Sequence, residues 1–420
     1  MKSHGADLQA GRSGRRIRNL GLIFAVVSMM AGFTVGLFRL LKDNNTLYVS
    51  TLLPWYHLHS IFLIFGFLGG LLMTERIAGS IGMKGVASHG FSAVMLLLSI
   101  AGMVLLPAGW VYHIEALRIF GAALLAVSAL QFTTLLIRLG QVAGDCSIFG
   151  IMAAGTVSLA FSAILIAFEL PNDDLALIVQ MLLFPTLFII GERVELTRFT
   201  HVPHQKVLTA SIHSLSWITI STTGISSILY ALGWNSYTTV LSLSTLIILA
   251  LAAITFLMER KRRTLSATTQ LQKYVNVGIR TAYFWLFTGI ILLLLRINGV
   301  GGLYDASIHA IALGFVATFI VAHGPVIFPV LLGKKGDMSR LTLLPLNLLT
   351  LSNALRIFGD IAKIFSANSS TALSVSYAAV SLSGILLAFD AVAFAIMMKR
   401  IIAGGTGRGS ASATSPKTEG

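Results

Sequence analysis

Charge is scarce in this sequence. Acidic and basic residues together make up 11% of its 420 residues, against about 25% in soluble globular chains, and that deficit excludes an ordinary soluble domain. Cysteine is nearly absent. The single Cys146 rules out a disulfide scaffold, and as a lone thiol in an inner loop it reads as reduced. No glycine-rich phosphate loop, CxxC, HExxH or serine-triad setting occurs, so nucleotide and soluble hydrolase chemistry have no support.

What the chain has instead is apolar length. Hydrophobic residues are 55% of the sequence, enough for about twelve spans of roughly 20 residues each. Hydropathy predicts spans near 20–41, 52–73, 88–108, 113–138, 147–169, 174–191, 206–232, 237–258, 278–297, 303–332, 341–362 and 371–398. Lipid offers no hydrogen bonds to a backbone, so runs of this length are helices. The expected fold is an all-α integral membrane bundle of about twelve transmembrane helices. It comprises a basic cytoplasmic segment 1–19, the transmembrane domain 20–398, and a Gly/Ser/Thr-rich, disordered cytoplasmic tail 399–420.

The net charge of +14 is a topology signal rather than a nucleic-acid signal. With the N terminus inside, 23 of the 30 basic residues fall on inner segments, and the outer loops hold Lys42 and Lys363. That bias places both termini in the cytoplasm and requires an even number of spans. The same excess suits anionic lipid heads, and no nucleic-acid partner is needed. The first apolar run is too long for a secretory h-region and reads as an anchor.

Imidazole at membrane depth needs a partner or a metal, and the chain has ten histidines. Under this topology His57, His59, His113 and His309 lie toward the outer side. His59 is about 10 Å into span two and His309 about 9 Å into span ten. Two neutral imidazoles at matched depth can ligate one haem iron axially or contribute to a copper site. His59, Gly66 and Gly70 share one helix face. Such a stripe admits either a flat macrocycle or another helix, and in the second case the histidines hydrogen-bond across the contact.

Arg356 and Arg118, at similar depth in spans eleven and four, are candidate partners for haem propionates. Each has a local alternative, Asp360 at i,i+4 for Arg356 and Glu115 for Arg118. Asp305, one turn before His309, is either a helix-start residue or an orienter of that imidazole. Toward the inner side His213 and His323 can meet at one metal, or His323 is a structural histidine beside the kink that Pro325 and Pro329 impose. Asp390, within the last span, is a proton-path residue or an interhelical pairing group.

Three patches resemble the NnrS family of haem–copper membrane proteins. Trp55-Tyr56-His57-Leu58-His59, followed by Phe65-Gly66-Phe67, is similar to that family's opening of span two. Gly191-Glu192-Arg193-Val194, with Arg198-Phe199-Thr200 after it, is similar to its glycine–arginine motif after span six. Ser307-Ile308-His309-Ala310, running through Gly314 to His323-Gly324, resembles its two-histidine tenth span, and Asn353-Ala354-Leu355-Arg356 its arginine in span eleven.

The arrangement also resembles, more distantly, the catalytic subunit of haem–copper oxidases, whose low-spin haem is held by histidines of spans two and ten. Predicted span six has no histidine and span ten no His-x-His pair, so that superfamily's copper centre and high-spin ligand have no evident source.

The resemblance implies a protein of the prokaryotic cell membrane that binds haem b, with copper as a second metal. It would work with a redox partner in nitric oxide or nitrogen-oxide metabolism, as electron carrier, sensor or reductase. Two other classes compete: a proton-coupled secondary transporter and a haem-handling or assembly factor.

Overall fold

The computed structural model describes residues 2–404 apart from 44–54, 56–57, 81–82, 84–85, 169–174, 198–203, 264–268, 336, 338–341 and 367–368. Among the described residues every regular element is helical. Twelve rods follow one another: α1 (Lys2–Asp43), α2 (His59–Ser80), α3 (His89–Val111), α4 (Glu115–Ala143), α5 (Cys146–Ala167), α6 (Leu175–Thr197), α7 (Gln205–Ala231), α8 (Tyr237–Arg263), α9 (Gln270–Ile297), α10 (Tyr304–Leu331), α11 (Leu344–Phe365) and α12 (Ser370–Gly404). The basic N-terminal residues continue into the first rod as helix. The predicted tail lies beyond the described residues from 405 on.

Among the described residues ten of these helices are long and apolar enough to cross a membrane. The two others, α7 and α11, carry the polar load. Serines and threonines run along α7, and Asn347, Asn353, Arg356, Asp360 and Lys363 lie on α11. The outward surface bears large apolar side chains such as Val27, Met30, Val104, Phe120, Phe284 and Phe389. Hydroxyls lie inside, with Ser216, Thr219, Ser226 and Ser244 fully buried. That inversion of the soluble pattern is expected where the solvent is lipid and helices associate through small and hydroxyl-bearing residues. The Thr223 and Ser244 hydroxyls meet at 2.5 Å between α7 and α8, and Ser158 donates to the Gln180 carbonyl at 2.6 Å between α5 and α6.

Sequence neighbours pack on one another, and α1 also touches α12. The bundle therefore has a near end, where α1 begins and the even-numbered helices finish, and a far end, where α1 finishes and they begin. α6 is its axis: 89% of its apolar stretch is buried, against 22% for α12.

α1 and α2 interlock through glycine. A Cβ on Gly66 would lie 2.5 Å from the Ser28 side chain, and one on Gly70 would lie 2.8 Å from Phe24. Reciprocally, Leu63 fills the space over Gly32 at 2.6 Å. The glycine stripe of the second span therefore receives a helix, not a flat ligand.

Five helices run five to seven residues past their predicted ends, among them α2 to Ser80, α6 to Thr197 and α8 to Arg263. Hydropathy stops at Glu75, Glu192 and Glu259. Glu192 and Glu259 meet guanidiniums of neighbouring helices there, which lets α6 and α8 continue within the bundle.

A histidine pair and its charges at the far end

α2 and α10 begin alike. His59 is the first residue of α2, and a π-helical segment follows at Phe62–Leu68. His309 lies five residues into α10, and a π-helical segment follows at Ala310–Ala317. Such bulges are uncommon and cluster at functional sites. Both rings are half-buried.

Each ring is oriented through Nδ1. His59 Nδ1 lies 2.7 Å from the Gly32 carbonyl of α1, and His309 Nδ1 lies 2.8 Å from the Asp305 carbonyl one turn back. A carbonyl only accepts, so both Nδ1 atoms donate and the Nε2 atoms carry the lone pairs. Neither Nε2 is among the buried polar atoms left without a partner, and neither has one among the described residues, so each opens onto accessible space. The His59 ring lies over Gly36, where a Cβ would stand 2.5 Å from Nδ1. Because α2 starts at His59, the ring sits at the helix mouth and not 10 Å inside it. His309 is about 7.5 Å from its helix start.

Charged groups from three helices gather around the pair. Arg356 Nε donates to Asp360 Oδ2 at 2.8 Å and its Nη2 lies 3.6 Å from Asp305 Oδ2, while Lys363 Nζ lies 3.2 Å from Asp360 Oδ1. Arg39, near the end of α1, and Arg356 both act electrostatically on His59, and Arg356, Asp305 and Asp360 act on His309. Arg356, Arg39 and Lys363 all act on Asp305, and Arg356 and Lys363 hold Asp360. Of this set Arg39 was missed by sequence reasoning. It stands at the polar edge of the first span, where one arginine looks like an ordinary flank.

The other candidates are placed apart from this pair. His57 lies outside the described residues. His113 is exposed in the α3–α4 turn, with a left-handed φ of 55°. Arg118 is buried, its guanidinium 5.5 Å from the Trp110 ring centre and 4.0 Å from Glu115, and it is not among the charges acting most on either histidine.

His213 and His323 have different neighbours. Trp217 Nε1 donates to His213 Nε2 at 3.0 Å, and that ring packs over Gly150. Arg193 Nη1 donates to His323 Nε2 at 2.6 Å. Both lone pairs are directed at donors, so the geometry does not form a two-histidine metal site from them. Among the described residues no group of three or more His, Cys, Asp or Glu is arranged around a metal position.

At the near end a network that the sequence reading did not assemble joins four helices. Arg76 of α2 forks between Glu192 Oε1 at 2.8 Å and Glu195 Oε2 at 3.0 Å on α6. Arg193 of α6 donates from Nε to Glu259 Oε1 of α8 at 2.7 Å and from Nη1 to His323 of α10. The available signal was the rarity of acid. Four of only sixteen acidic residues follow the apolar runs of spans two, six and eight.

An all-helical bundle with this many apolar rods is a multi-pass membrane protein. The chain belongs to the family described as Domain of unknown function (DUF8744), whose model matches residues 18–393, from α1 into α12. No curated protein matches it.

Proposed function

We propose that the protein binds a b-type haem at the far end, with His59 and His309 as axial ligands through Nε2. One observation carries this reading: two histidines on separate helices have Nδ1 tied to a backbone carbonyl and Nε2 left open, the tautomer and orientation that metal ligation requires. The donor set suits the group in charge as well. Arg356 and Arg39, both acting on His59, are guanidiniums of the kind that bind carboxylates. His57, two residues before His59 in the sequence, is the alternative ligand or copper position. A haem ligated by two imidazoles supplies a one-electron iron couple. The chain's own residues fix the ring planes through Gly32 and Asp305 and neutralise the porphyrin's acids. The resemblance to NnrS proteins supports a link to nitric oxide or nitrogen-oxide metabolism. A six-coordinate iron leaves no open position, which favours electron transfer or response over reduction at this site.

The finer architecture belongs to the same proposal. Counting α7 and α11, whose polar groups are largely turned inward, gives twelve spans, with both termini in the cytoplasm of a prokaryotic cell. The inner bias of basic residues supports that orientation.

The deciding experiment is a visible spectrum and pyridine haemochrome of protein expressed with ample haem, for the wild type and for His309→Ala. A stoichiometric Soret band lost in the variant is expected. No band, or one indifferent to the substitution, refutes the proposal, and substoichiometric, exchangeable haem identifies a haem-handling factor instead. A secondary transporter is the second reading, favoured by the interruption of α2 and α10 by π-helical turns. Substrate-dependent proton flux in liposomes without bound cofactor would establish it.

A further inference from the structure

The near-end network borders a cleft between α2, α6 and α10 whose walls are apolar, with leucines 68, 71 and 72 and phenylalanines 319 and 328 among them. Among the described residues its only ionisable linings are Glu75, Glu192 and His323. We propose that this cleft is a proton-binding site, in which Glu75 and Glu192 hold one exchangeable proton between them.

His323 donates from Nδ1 to the Phe319 carbonyl at 3.0 Å and accepts at Nε2 from Arg193. A ring whose Nε2 accepts from a permanently charged guanidinium is neutral, so it offers the carboxylates no countercharge. Among the described residues Glu75, Glu192, Glu195 and Glu259 lie near the guanidiniums of Arg76 and Arg193. Arg193 is taken by the fully enclosed Glu259, and Arg76 is shared by Glu192 and Glu195. Glu75 has neither a hydrogen bond nor an ion pair among the described residues, and the charges acting on it are those of Glu192, Arg76 and Glu195. The helix ends add no relief, because α2, α6 and α8 all present their C-terminal, negative poles here.

With Glu192 held by Arg76, an ionised Glu75 is an unbalanced negative charge in this apolar cleft and calls for a cation. A metal ion is a poor occupant, because among the described residues the walls offer no hydroxyl or amide side chain to complete an oxygen shell. A proton needs only a carboxyl group. The cleft's free volume, about 50 Å³, has room for one or two waters. Arg193, 3% exposed, donates from Nη1 to His323 on the cleft wall and keeps Nη2 without a partner. Glu192 and Glu195 retain 21% and 27% side-chain exposure, which opens the network toward the helix ends. Loading is a plain acid–base step: a hydronium ion transfers its proton to a Glu75 carboxylate oxygen and leaves as water, and release is the reverse. The site lies about 24 Å along α2 from His59 and about 21 Å along α10 from His309, and it stands whether or not haem binds.

Infrared spectroscopy of the full-length protein in lipid nanodiscs tests this. Asp390→Asn is carried in every sample, because Asp390 is a further buried carboxyl group with an unpartnered oxygen. At neutral pH the carbonyl-stretch band of a protonated carboxylic acid is expected. It should shift on transfer to D2O, disappear in Glu75→Gln and persist in Glu259→Gln. If Glu75→Gln does not fold, Glu192→Gln takes its place with the same expectation. Absence of the band in the Asp390→Asn parent, a band that ignores D2O, or one retained in the folded Glu75→Gln or Glu192→Gln protein overturns the proposal.

Discussion

His59 rests on Gly36: its Nδ1 donates to Gly32 at 2.7 Å, and a Cβ at Gly36 would intrude on the ring at 2.5 Å. The first helix thus sets the angle of a side chain on the second. Gly36→Ala should turn the ring or part the helices, at a cost of about 1–3 kcal/mol for overpacking, and with the proposed haem its Soret band should weaken. Gly79→Ala, where a Cβ meets nothing within 4 Å, is the control and should leave both thermal stability and spectrum unchanged.

Arg193 and Arg76 hold similar pairs in dissimilar surroundings. Glu259 is 1% exposed and Arg193 3%, so Arg193→Ala strands a charge in the core, a loss of about 3–5 kcal/mol. The partners of Arg76 keep some access to solvent, which screens them, and Arg76→Ala should cost clearly less. Thermal unfolding of the two variants in detergent gives the order, and equal or reversed losses would contradict it.

Cys146, the only cysteine and exposed at the near end, reports orientation. A membrane-impermeant maleimide should label it only after the cells are permeabilised. In a Cys146→Ser background, Val300→Cys in the exposed α9–α10 turn should label in intact cells. Labelling in the opposite order would invert the proposed topology.

The axial position of α6 makes its contact with α5 intolerant of added atoms. A Cβ at Gly155 would lie 2.7 Å from the Phe184 carbonyl oxygen, a backbone atom that cannot step aside. Gly155→Ala should therefore lower stability by about 1–3 kcal/mol, measurable as an earlier unfolding transition than that of Gly79→Ala.

Much of this was legible in one dimension. Apolar run length marked all twelve rods, and most boundaries fell within a few residues, because helices in lipid are set by local hydrophobicity. Some exceptions fall at acids. Glu192 and Glu259 look like the start of a loop, yet each meets a guanidinium of another helix that keeps it in the bundle. The glycine stripe on α2 was visible, but whether Ser28 and Phe24 or a ligand would fill it depended on α1. His323 and His213 shared a depth in the sequence reading, while their actual partners, Arg193 and Trp217, are matters of rotation about each helix axis.

By itself the sequence determined the solvent, the helical class, the approximate spans and the bias of basic residues, because each of these depends on residues close in the chain. Only the tertiary structure decided which charges meet: that Arg356 joins Asp305 to Asp360, that Arg76 and Arg193 gather Glu192, Glu195 and Glu259, and that both far-end imidazoles spend Nδ1 on a backbone carbonyl. Those outcomes rest on hydrogen-bond directions and separations between helices, which fall off over a few ångströms and have no period along the chain.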